Sequence, residues 1–254
     1  MTPIEPSGDP INLSPIPDPQ PAIPNPPSPF FDYSDFFSFV GFAIGSILIA
    51  VLLIRAARIL IPISMPVQLL LVQSAWYVLS FGALAALFRI RYGCPFWRSL
   101  DWRGIGFASA SSAILAGPVL ALGVGLLGSA LRTPNIQLPF EQMLGTRATV
   151  VFLGVVVVIL GPVAEELAFR GFLMPLLIRS LGAAAGIVLT GAIFGSVHGY
   201  EYQWSWQYML LIAIVGCVFG WAKYRTQSTM TSAFMHATFN LTQFVAFLAQ
   251  ARAL

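Results

Sequence analysis

The stretch GPVAEELAFRGFLMP, residues 161–175, directly follows VVFLGVVVVIL, residues 150–160. The second run is apolar enough to lie inside a bilayer, yet it leads into two adjacent carboxylates, Glu165 and Glu166. A carboxylate taken away from water costs several kcal/mol unless it is paired or neutralised. Glu166 and Arg170 are four residues apart, so on a helix they share a face and can pair. Glu165 lies about 100° further round and is free to point elsewhere. The plain reading of this stretch is a helix end at a membrane interface with an ordinary Glu–Arg pair. The sharper reading is a buried functional constellation, and the rest of the chain decides between them.

Of the 254 residues, 57% are hydrophobic and only 9% are charged, against about 25% charged in a soluble domain. The chain is therefore expected to be an all-α, polytopic integral membrane bundle of seven to eight transmembrane helices. The formal charge of +3 does not point to nucleic acid, because the arginines sit beside apolar spans as loop charges do. The partner environment is the lipid bilayer. Cys94 and Cys217 are far apart with no metal-ligand spacing, so they read as unpaired packing residues.

Residues 1–30 carry eleven prolines between Pro3 and Pro29 and no Lys or Arg, which predicts a disordered or polyproline-II tail. Residues 31–131 hold the first three spans, at about 36–54, 67–88 and 104–131. The basic, aromatic segment 89–103 between the second and third reads as an interface anchor. Residues 132–254 form the remaining unit. It begins with a loop holding Glu141, followed by the span at 150–160. Gly161-Pro162 is expected to break or bend that span, with Pro162 suited to the first turn of a new helix running to about Arg179. Further spans follow at 182–198, 208–221 and 230–248.

Both histidines of the chain, His198 and His236, lie at the ends of apolar helices, where titratable residues are functional candidates by default. In FGSVH, Phe194 lies one turn before His198 on the same face. In HATFN, His236 and Asn240 are four apart, again on one face. Each has a structural alternative: a membrane His can bond a backbone carbonyl, and an Asn can glue two helices together. Taken jointly with the Glu–Glu–Arg helix they supply the parts for hydrolysis at a shielded site. A carboxylate can take a proton from water, a His can assist, and His with Asn can stabilise an oxyanion. No Gly-x-Ser-x-Gly nucleophile motif is present. Zinc is the minor alternative, since Glu and two His are zinc ligands, but the His-Glu-x-x-His helix is absent. A mechanism without metal or cofactor is the expectation.

Glu165-Glu166-x-x-x-Arg170, Phe194-x-x-x-His198 and His236-x-x-x-Asn240, in that order on successive apolar helices, resemble the three motifs of the CPBP family. That family comprises CAAX prenyl endopeptidases of the Rce1 type and bacteriocin-processing or self-immunity proteins, also called Abi. The resemblance covers residues 148–250 and implies an eight-helix intramembrane endopeptidase. It implies Glu165 as the base that activates water and His198 as its partner. It implies His236 and Asn240 as the oxyanion hole, with Glu166 and Arg170 ordering the site. The implied partner is a membrane-associated peptide or protein substrate, either lipidated and CAAX-type or leader-bearing. A multi-pass position in a bacterial inner membrane is expected. The alternatives are a non-catalytic membrane scaffold or self-immunity protein of the same fold, and a proton-coupled transporter. A transporter would want an inverted repeat, which the sequence does not display.

Overall fold

A computed structural model describes residues 30–136 and 145–253, and all of it that is regular is helix. The proline-rich tail and the loop around Glu141 lie outside the described residues. Helix α1 is Tyr33–Leu60, α2 is Met65–Tyr92, α3 is the single turn Phe96–Ser99, and α4 is Phe107–Ala130. Then come α5, Arg147–Leu181, and α6, Ala183–Val197. The last two are α7, Trp206–Thr226, and α8, Thr229–Ala253. Helices α1, α2, α4, α5 and α7 are long and apolar enough to cross a membrane. The chain is an integral membrane protein.

Local chemistry sets the helix ends. Asp32 caps α1 by accepting from the Ser34 and Asp35 amides, and Asp35 reaches back to the Asp32 N–H. Pro66 occupies the first turn of α2 and Gly93, at φ 66°, ends it, as a left-handed cap requires. Thr146 and Thr149 cap α5 reciprocally.

The expected break at Gly161-Pro162 does not occur, and no separate eighth span surrounds Glu165. Instead α5 is continuous over 35 residues. Just before the proline the helix widens by one residue: the Gly161 N–H donates to Val156 O, five residues back rather than four. A proline inside a regular α-helix clashes with the carbonyl four residues earlier, and the wider turn relieves that crowding without ending the helix. A second wide turn spans Leu167–Leu173, where the Met174 N–H reaches Phe169 O. Wide turns of this kind concentrate at functional sites, and these two bracket the glutamates.

The other helices enclose α5. The α1–α2 hairpin packs on its C-terminal half through Phe39, Leu84 and Phe88, which meet Leu167, Phe172 and Leu176. The N-terminal half of α5 meets α2 and α8 through Leu70, Leu153, Val156 and Phe244. Helix α4 lies so close to α8 that a Cβ on Gly117 would be 2.6 Å from Met235 O. Helix α6 is equally close to α7 at Gly191. Such small-residue contacts are the usual basis of helix association in lipid.

The segment expected to be an interface anchor is packed as a clamp. Buried Lys223 donates to Asp101 Oδ2 at 3.0 Å, and the Thr229 N–H donates to Asp101 O at 3.0 Å. Thr229 Oγ1 donates to Leu100 O at 2.7 Å. These contacts fix the start of α8, two turns before His236.

Candidate active site

All six residues singled out in the sequence come from α5, α8 and the end of α6. Glu166, four residues before Arg170 on α5, is fully buried with it. Arg170 Nη1 donates to Glu166 Oε1 at 2.9 Å, and Nη2 donates to Gly216 O on α7 at 2.9 Å. The guanidinium also lies 4.4 Å from the Phe194 ring centroid and 5.4 Å from that of Phe219. A buried cation is tolerable only when it is paired in this way, even though its Nε is left without a hydrogen-bond partner.

His236 is tied to the same carboxylate. Its Nδ1 lies 2.9 Å from Glu166 Oε1, and a carboxylate can only accept, so Nδ1 carries the hydrogen. Phe219 stacks on the imidazole at 4.6 Å between centroids. His198, which caps the end of α6, is held in a parallel manner. Its Nδ1 donates to Phe194 O at 2.7 Å, one turn earlier. Phe194 thus holds His198 with its carbonyl and Arg170 with its ring.

With both Nδ1 atoms committed, the two Nε2 atoms face one oxygen. Glu165 Oε2 lies 3.9 Å from His198 Nε2 and 3.8 Å from His236 Nε2. These distances are longer than a direct hydrogen bond. The Glu165 side chain is 27% exposed and that of His198 21%, whereas Glu166 and Arg170 are at 0%. The site therefore has an accessible face of Glu165 and His198 and a sealed back of Glu166 and Arg170, with His236 between. Asn240 stands one turn beyond His236, and its Nδ2 donates to Val157 O on α5 at 2.9 Å. Among the described residues no group of three or more His, Cys, Asp or Glu is arranged to hold a metal ion.

A match to the family model described as Rce1-like, type II CAAX prenyl endopeptidase Rce1-like, covers residues 147–242. Over those residues, well under half of its length, the chain is similar to that family. No curated protein and no solved structure matches it. The family is one of CAAX-type membrane proteases, and the matched residues run from the first turn of α5 into α8. They include Glu165, Glu166, Arg170, His198, His236 and Asn240.

Two neighbours of the site escaped the sequence reading. Tyr77 of α2, outside the family match, borders with Glu165 the space over Gly161. Glu201, in the turn after α6, lies beside His198. Burial pushes its carboxyl above the usual range while His198 draws it down. That turn reads in sequence as aromatic, and the one clue to Glu201 is that it is the sole acid within a turn of His198. For Tyr77 the sequence holds no signal, because its proximity to Glu165 is purely tertiary.

Proposed function

We propose that this Rce1-like chain is an intramembrane endopeptidase in which Glu165 activates water, without metal or cofactor. The observation that carries the reading is the convergence of His198 Nε2 and His236 Nε2 on Glu165 Oε2, at 3.9 and 3.8 Å. Water on the accessible side of this trio gives its proton to Glu165, and the hydroxide adds to the scissile carbonyl. The developing oxyanion accepts from His236 Nε2–H and from the second hydrogen of Asn240 Nδ2, the first being held by Val157 O. Collapse breaks the C–N bond, and the amine leaves with the proton that Glu165 received, relayed by His198. The products are a carboxylic acid and an amine, with one water consumed.

The sealed back supports this charge pattern. Glu166 and Arg170 neutralise each other in the sealed back, and the accessible Glu165 carboxylate balances the imidazolium that His236 needs in order to offer both of its N–H groups. Water-excluded donors fixed in advance are the main source of stabilisation for such an oxyanion. The substrate is a membrane-associated peptide or protein, of lipidated CAAX type or bearing a leader, cleaved at a bacterial inner membrane.

The test uses purified protein in liposomes with a farnesylated peptide, its unprenylated counterpart and a leader-bearing peptide, followed by mass spectrometry. Cleavage that is lost in Glu165→Gln and indifferent to a chelator is the expected result. Loss with chelator would bring zinc back, held by Glu165, His198 and His236. Full activity in Glu165→Gln would remove the proposed base. Cleavage of none of the three peptides, with complex formation intact in Glu165→Gln, would favour the scaffold reading.

A further inference from the structure

Glu165 has two oxygens, and the motif residues occupy only one of them. Oε2 faces the imidazoles; Oε1 faces Gly161, one turn earlier on α5. A Cβ placed on Gly161 would lie 3.7 Å from Glu165 Oε1 and 3.8 Å from the hydroxyl of Tyr77. The carboxylate oxygen and the phenol therefore border the same small gap, left open because residue 161 has no side chain. Its floor is Val156 O, 3.1 Å from that Cβ position, the carbonyl that accepts from Gly161 in the wide turn.

The phenol is held in place from behind. Its ring stacks on Trp76 at 5.3 Å between centroids. Trp76 is itself pinned, its indole N–H donating to Ala43 O of α1 at 2.7 Å. Gln73, one turn earlier on α2, lies beside the hydroxyl. A phenol is the right group for this position: it donates a hydrogen bond to a carboxylate without adding a charge to the site.

We infer that Tyr77 is a positioning residue of the site, its hydroxyl holding Glu165 Oε1 through a water in the gap over Gly161, so that Oε2 stays aimed at the two imidazoles. The inference rests on the Glu165 reading above, and it extends the site to α2, outside residues 147–242.

The experiment compares wild type, Tyr77→Phe, Gly161→Ala and Glu165→Gln in liposomes. Cleavage of the farnesylated peptide gives kcat and KM. Infrared difference spectra between acid and neutral pH give the carboxyl C=O band that Glu165→Gln lacks, a readout that needs no substrate. Tyr77→Phe keeps the ring on Trp76 and loses only the hydroxyl. It should lower kcat roughly tenfold, the worth of one hydrogen bond to a charged group, with KM nearly unchanged. It should also move the Glu165 band to higher wavenumber, because the carbonyl loses a donor. Gly161→Ala, which fills the gap, should move the same band. A Tyr77→Phe protein with the wild-type band, or with wild-type kcat, overturns the inference. If Glu165→Gln cleaves normally, the glutamate reading fails, and the band alone then decides whether Tyr77 holds Glu165.

Discussion

Asn240 Nδ2 donates at 2.9 Å to Val157 O, a carbonyl whose two helix donors are both lost. The Gly161 N–H goes to Val156 O, and Pro162 has no N–H to give. Asn240 therefore supplies the hydrogen bond that Pro162 takes away. A buried carbonyl left unpaired costs about 1–3 kcal/mol, so Asn240→Ala should be destabilised by that much as well as impaired in cleavage. Residue 162 can return the donor. In a Pro162→Ala background the stability cost of Asn240→Ala should shrink by about 1 kcal/mol. Unfolding of the four proteins in detergent checks this, and an equal cost in both backgrounds would dismiss the coupling.

Arg170 is the second test. Its guanidinium bridges Glu166 Oε1 and Gly216 O and lies over Phe194, so removing it strands a buried carboxylate. Arg170→Met should lose about 3–5 kcal/mol of stability. Arg170→Lys should recover little, since an ammonium cannot span both acceptors while lying flat on a ring. Glu166→Gln combined with Arg170→Met should be more stable than Arg170→Met alone. Thermal unfolding ranks the three, and a double variant worse than the single one would count against the stranded charge as the cause.

The sequence displayed the apolar spans because a bilayer demands long apolar runs, and it displayed the shared faces of Glu166 with Arg170 and His236 with Asn240 because helical spacing dictates them. It did not display what lies between helices. Gly161-Pro162 reads locally as a break; only the wide turn at 156–160 and the Asn240 amide from α8 allow the helix to continue. Periodicity says that Glu165 points away from Glu166, but not that two histidines from other helices meet its Oε2. Tyr77 reaches the site by tertiary packing alone, whereas Glu201 is only three residues beyond His198 in the chain. Segment 89–103 looked interfacial from its Arg and Trp content, while its role in seating α8 depends on Lys223 and Thr229, more than a hundred residues later.

Helix α6 carries Phe194 and His198, and its distance from α7 is set by glycine. A Cβ on Gly191 would lie 2.8 Å from Ala213 O and 2.9 Å from Cys217 N, closer than real Cβ atoms come to backbone. Gly191→Ala must push α6 away from α7, at about 1–3 kcal/mol, and carry His198 off Glu165, so cleavage should fall as well. Gly45→Ala in α1 meets nothing within 4 Å and should stay within about 0.5 kcal/mol of wild type. Similar effects at the two positions would mean that the α6–α7 contact is looser than this geometry.

Glu201 gives the pH-dependent case. Burial in the turn after α6 pushes its carboxyl above the usual range, and His198 offsets only part of that. Between the ordinary carboxylate value and the raised one, the folded protein holds a proton that the unfolded chain has released. Stability from this group is thus lost as pH rises through that window. Glu201→Gln removes the titration. It should be more stable than wild type at neutral pH, with the difference closing in acid below the ordinary carboxylate value. Unfolding temperatures of both proteins in detergent, from about pH 4 to pH 8, decide the matter. A variant less stable than wild type at neutral pH would mean that His198 holds Glu201 as an anion, and the burial penalty would then not be what governs this carboxyl.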